Sequence, residues 1–168
     1  MGKESKGGLC KMKAIALFSI LLTFGMIGCN FAGEQEVIIV PRDFKGYIIV
    51  FLNERNGTPP KYSGTKRVYD VPQNGVLKTQ FKYNDGWREL PEYYYDKIAP
   101  ENKLKSYAVI ENVPIDTVVG FMGAGGTIKK SEHSDDRLEF SLFFIGTKSE
   151  IEEAKEKVEK LDFVKLSE

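Results

Sequence analysis

From Glu36 onward, turn residues cut the chain into short apolar pieces roughly every 8 to 15 residues, and that punctuation restricts what it can fold into. Val37 to Val40 and Gly46 to Leu52 are β-branched and aromatic runs split by Pro41-Arg42-Asp43. Pieces this short, bounded by turn residues, read as buried or half-buried strands. In Asn56-Gly57-Thr58-Pro59-Pro60 the Asn-Gly pair supplies positive φ and the prolines remove ladder donors, so an exposed loop is expected. Val68 to Val71, the turn Pro72-Gln73-Asn74-Gly75 and Val76 to Tyr83 form the strongest hairpin-like pattern. Asn84-Asp85-Gly86 adds a further turn before Trp87 and Tyr93-Tyr94-Tyr95, and Lys105 to Glu111 and Ile115 to Met122 continue the series. The pattern predicts a mainly β domain, an antiparallel β-sandwich or partly open barrel, rather than alternating βαβ units.

The last third changes character. After Gly123-Ala124-Gly125-Gly126 and the polar stretch Lys129 to Arg137, Leu138 to Ile145 reads as a strong strand. Ser149 with Glu152 has capping-box spacing, and Ile151, Ala154, Val158 and Leu161 fall on one helical face. One C-terminal amphipathic helix is expected, its apolar stripe laid on the sheet.

The N-terminus is built for a different solvent. Lys3, Lys6, Lys11 and Lys13 precede an apolar run of roughly 14 residues, Ala14 to Ile27, the length of a secretory h-region. A membrane-spanning helix needs about 20 apolar residues. The run closes on Met26-Ile27-Gly28-Cys29-Asn30, with a small residue directly before cysteine. This stretch resembles the lipobox of bacterial lipoproteins, which implies cleavage before Cys29 and acylation of its thiol. Residues 1–28 are then a signal peptide, with Met12 offering an alternative start; residues 29–36 are a lipidated tether and residues 37–168 a single β-rich domain. One acyl chain binds membranes only marginally, whereas two or more anchor stably at about 0.8 kcal/mol per buried methylene. The tether beyond the cysteine reaches roughly 25 Å at about 3.5 Å per residue. Membrane attachment through acylated Cys29, on the exported side of the cell membrane or outer membrane, is the expected location.

Charge and cysteine content narrow the rest. Residues 1–28 hold four lysines against Glu4 alone, so a balanced full chain leaves a slightly acidic remainder of −3. A nucleic-acid footprint needs clustered basic surface, and none is evident. Cys10 and Cys29 are the two cysteines, so residues 30–168 can form no internal disulfide and depend on an apolar core.

Pro41 with Gly46, Asn56-Gly57-Thr58-Pro59, Tyr62 with Gly64, Arg67-Val68-Tyr69, Val71 through Leu77, and Thr79-Gln80-Phe81 through Gly86-Trp87 form a recognisable set. Over residues 38–112 the chain resembles a family of bacterial envelope proteins, many of them lipoproteins, classed as a domain of unknown function. The resemblance implies location and a β-rich domain, and carries over no catalytic residue.

Candidate sites are few. His133 is the only histidine, in Ser131-Glu132-His133-Ser134-Asp135-Asp136. A zinc site assembles several His or Cys ligands, and the acidic loop lacks dedicated calcium-loop spacing, so a solvated loop is the expectation and no metal is assigned. Gly120 to Thr127 lacks the Gly-Lys-Ser/Thr ending and following helix of a phosphate loop, which leaves a turn or bulge and no cofactor. The aromatics are better placed: strand alternation sends Tyr93 and Tyr95 one way and Tyr94 the other. Trp87, Tyr93 and Tyr95 are therefore the candidate ligand-binding residues, for stacking on a glycan or anchoring an envelope protein, against plain cross-strand packing. The expected function is a non-enzymatic binding or structural domain of the envelope. The alternatives are a hydrolase using two suitably spaced loop carboxylates and a spacer or inhibitor module.

Overall fold

The structure, a computed structural model, describes residues 32–133 and 135–168. The expected signal peptide, residues 1–28, and the stretch Met26-Ile27-Gly28-Cys29-Asn30 lie outside the described residues. Among the described residues ten strands make two five-stranded sheets, followed by two α-helices. The first sheet has the order β3 (Tyr62–Ser63), β4 (Lys66–Asp70), β1 (Glu36–Val40), β6 (Glu92–Tyr95), β7 (Lys103–Leu104). The second runs β5 (Val76–Lys78), β2 (Gly46–Leu52), β10 (Arg137–Gly146), β9 (Val119–Lys129), β8 (Ser106–Tyr107). The protein is mainly β, with sheets that do not close into a barrel and a C-terminal helix packed outside them.

The two sheets share one interior. Alternation in β1 and β2 sends Ile38, Val40, Ile48, Val50 and Leu52 inward, where Tyr69, Tyr93, Phe143 and Ile145 complete a buried cluster. The opposite face of the second sheet is also apolar. Against it lie helix α1 (Lys148–Val158), through Ile151, Ala154 and Val158, and helix α2 (Phe163–Ser167), whose Phe163 ring sits 4.9 Å from that of Phe140. Val37, Ile39, Val68 and Tyr94 form a smaller buried cluster on the outer face of the first sheet.

The sheets are mixed rather than antiparallel. β1 pairs in parallel with both β4 and β6, and β2–β5 and β8–β9 are parallel too; β2, β10 and β9 pair antiparallel. Parallel neighbours need a crossover, and here the second sheet supplies it: after Val40 the chain turns through residues 41–45 and enters β2 of the other sheet. The Pro72–Gly75 turn does the same. Gly75 N–H donates to Pro72 O at 2.9 Å, yet the flanking β4 and β5 belong to different sheets, so the pattern read as a hairpin is a sheet-to-sheet crossing.

Two further differences are local. The helix is capped by Thr147, whose N–H donates to Glu150 Oε2 at 2.8 Å, two residues before the Ser149 and Glu152 spacing. Gly120 to Thr127 lies inside β9, where three steps from Met122 to Gly125 oppose two from Ser141 to Phe143 of β10, so of the turn or bulge expected it holds the bulge, and it is no phosphate loop. His133 is exposed in the connection between β9 and β10.

Candidate functional site

β1 begins with a carboxylate where its alternation demands an interior residue, and polar groups converge on it. Glu36 has no solvent exposure. Its Oε2 accepts Arg88 Nε–H at 3.1 Å, and its Oε1 accepts Asn84 Nδ2–H at 3.0 Å and the Tyr69 hydroxyl at 3.3 Å. Three donors occupy most of what a carboxylate can accept. Burial first, then the Glu36 charge, pushes the Tyr69 phenol far above its ordinary value, so it remains a neutral donor.

A second shell of contacts ties the incoming chain to the same place. Asn84 donates from Nδ2 to Glu34 O at 2.7 Å and accepts Glu34 N–H on Oδ1 at 2.9 Å, as a paired strand would. Arg67, nearly buried, donates to the Glu34 carboxylate and to Lys82 O, and lies 4.9 Å from the Phe81 ring centre. Arg88 also donates to Asn84 O at 2.9 Å. Ala32 forms a parallel bridge with Trp87, and Gly33 N–H donates to Trp87 O at 3.0 Å. A Cβ at Gly33 would sit 2.8 Å from Asp85 O, so that approach requires glycine. Residues 32–36, read from the sequence as tether, are thus hydrogen-bonded into the body of the domain.

This cluster is a clamp. Glu36 is closed off from solvent and paired with Arg88, and the partly exposed Glu34 is paired with Arg67. The sequence reading missed it because Glu34, Glu36, Arg67, Asn84 and Arg88 are scattered over 55 positions and meet through the parallel pairing of β1 with β4 and the packing of the segment before β6 against the start of β1. A glutamate directly before Val-Ile-Ile-Val, with arginines ahead of Val68 and after Trp87, was the available signal.

The three candidate aromatics do not form one platform. Tyr93 is fully buried between the sheets, its ring centre 6.3 Å from that of Phe143, and has nothing to offer a ligand at the surface. Its hydroxyl has no hydrogen-bond partner among the described residues, and burial with the Glu36 charge raises its phenol well above the ordinary value. Tyr95 faces the same way, as alternation requires, but pairs with Val40 at the far end of β1 and donates to Phe44 O at 3.4 Å. Trp87 stands 80 % exposed where β1 begins.

Residues 32–155 match a family described as "Family of unknown function (DUF6843)". The chain belongs to that family. The match starts at Ala32, the first residue of the clamp, and ends inside α1. Among solved structures, a candidate lipoprotein from Bacillus anthracis is similar with a TM-score of 0.48 at 13% identity, covering 66% of this chain and 68% of that one. No curated protein matches.

Two other surfaces of this DUF6843 member bear on chemistry. On the outer face of the first sheet, Glu92 Oε1 accepts Lys66 and Lys103, each at 3.1 Å, and Oε2 accepts the Tyr94 hydroxyl at 3.1 Å. Burial works to raise the Glu92 carboxyl, but the donors, Lys103 first, outweigh it and hold it below its ordinary 4.5. A depressed carboxyl stabilises the fold above the unfolded value, and that contribution is lost as pH falls through the lower folded value. Stability should therefore drop below about pH 4.5, and Glu92→Gln should flatten that acid limb when urea midpoints are followed with pH. Beside α1, Ala108, Phe121, Met122, Leu142 and Phe144 line an apolar groove of about 340 Å³. Among the described residues no cluster of three or more metal-ligating side chains occurs, and no helix is long and apolar enough to cross a membrane.

Proposed function

We propose that this protein is a lipid-anchored component of the bacterial cell envelope: exported by its N-terminal segment, cleaved before Cys29, and held by acyl groups on that cysteine. Its β-domain then serves as a non-enzymatic binding or structural module on the exported side of the cell membrane or outer membrane. The observation that carries this reading is the junction of the two parts. A basic segment, an apolar run and Gly28-Cys29 end three residues before Ala32, where the clamp takes hold. At most Cys29 to Phe31 then lies between the anchor and the clamp, about 10 Å at full extension. Such a short leash suits a domain that works against the bilayer, and two acyl chains supply durable attachment where one does not. The groove beside α1 supports a binding role for an envelope protein or glycan.

The test is fractionation of the full chain and its Cys29→Ser variant. The native protein should pellet with membranes, partition into the detergent phase and yield a mature N-terminal peptide bearing diacylglyceryl. The variant should be found in the soluble fraction. A Cys29→Ser protein that stays with the membrane as the native one does would overturn the reading.

A further inference from the structure

Trp87 is the most exposed large apolar side chain among the described residues, at 80 %, and its backbone is hydrogen-bonded at the point where the chain enters the domain. Gly86, at φ +99, turns the backbone ahead of it. On its other side Arg88 points inward to Glu36 and Asn84, so strand-like alternation drives the indole outward. Its backbone is bonded to Gly33 and bridged to Ala32. Leu90, 39 % exposed, follows on the same loop. A buried ionic network thus fixes a loop whose outward projection is an indole.

We infer that Trp87 is a membrane-contacting residue, seated in the headgroup region of the bilayer that holds Cys29, and that it sets the orientation of the domain on that surface. This rests on the lipid-anchor reading. Ala32 is three residues beyond Cys29, so Trp87's backbone partner cannot lie more than about 10 Å from the acylated cysteine. The headgroup layer on one side of a bilayer is itself roughly 5–7 Å thick. Tryptophan prefers that layer, because its ring is apolar and its N–H still finds a partner there. The neighbouring exposed charges Lys82, Asp85 and Glu89 do not add up to a basic patch, so the indole and the tether act without electrostatic attraction to anionic lipid. Because the anchor already confines the domain, insertion is intramolecular and one indole suffices to choose the orientation.

Trp87 is the single tryptophan of the chain, so its fluorescence reports on the proposal directly. The lipidated full chain is reconstituted into phosphatidylcholine–phosphatidylglycerol vesicles beside the Cys29→Ser variant. Flotation, emission wavelength, iodide quenching and quenching by lipids brominated near the ester end of the acyl chains are measured. The native protein should float, with blue-shifted emission, several-fold weaker iodide quenching than the variant, and strong quenching by brominated lipid. If it floats while Trp87 emits and quenches as in the variant, Trp87 does not contact the bilayer, and the anchor reading stands. If it does not float, the anchor reading fails and the Trp87 proposal fails with it. Shielding of Trp87 only on adding peptidoglycan fragments or envelope protein would likewise overturn the membrane assignment.

Discussion

Replacing Arg88 with alanine is expected to destabilise the domain by about 3–5 kcal/mol, the usual cost of stranding one partner of a buried ion pair. For a domain of this size that lowers the thermal midpoint by roughly 10 °C or more. Among the described residues the guanidinium is the one cation bonded to Glu36, and it also satisfies Asn84 O; its removal leaves a carboxylate with no solvent exposure and two neutral donors. Replacing the pair together, Glu36→Leu with Arg88→Met, should recover much of the loss, since well-packed apolar side chains serve as well as a buried pair. The contrast is Lys61–Asp70, whose ends are 2.6 Å apart and each more than half exposed. Lys61→Ala should cost no more than about 0.5 kcal/mol, because solvent screens such pairs. Urea denaturation measures all three. An Arg88→Ala loss no larger than that of Lys61→Ala would mean that water reaches Glu36 and that the clamp is not closed. Hydrogen exchange at Gly33 gives a local readout, because its amide bonds to Trp87 O and should exchange faster once Arg88 no longer fixes the loop.

The runs Val37–Val40, Gly46–Leu52 and Leu138–Ile145 were legible as strands because their burial is two-sided and their ends carry turn residues. The face of α1 was legible because Ile151, Ala154 and Val158 repeat at helical spacing, and the opposed directions of Tyr93 and Tyr94 follow from the pleat. Pairing partners were not legible. A turn such as Pro72–Gly75 specifies a reversal, not which sheet receives the next strand, and that choice depends on inner-face residues from strands far apart in sequence. The clamp was hidden for the same reason: Glu36 and Arg88 are 52 positions apart, and an isolated glutamate before an apolar run has the composition of a solvated linker. Tyr93 illustrates the converse limit. Alternation told which way it points but not that this face of its sheet is turned toward the second sheet, so an aromatic read as a surface candidate belongs to the core.

Gly120→Ala separates packing glycines from linker glycines, and the expected loss is about 3 kcal/mol, the upper end of ordinary overpacking. A Cβ at Gly120 would lie 2.1 Å from Cγ and Cδ2 of Tyr93, far inside van der Waals contact. Neither side yields easily. Gly120 is held in register by Ile145 of β10, while Tyr93 is paired with Ile38 of β1 and rests against Phe143. The tyrosine ring of one sheet therefore lies directly on the backbone of the other, and a methyl group there must push the sheets apart. Shortening the ring should relieve the clash: Tyr93→Leu combined with Gly120→Ala should be less damaging than the two single losses summed, with a coupling of about 1–3 kcal/mol. Gly126, six positions along the same strand, gives the control, because its Cβ would find Phe140 no closer than 3.6 Å. Gly126→Ala should be neutral or stabilising by up to about 1 kcal/mol, since it only restricts the unfolded chain. Equal effects at the two positions would refute the packing account of Gly120. Unequal effects in the stated order tie the glycine at the start of this tract to the closeness of the sheets, which in turn sets how tightly Tyr93 seals the interior beside Glu36.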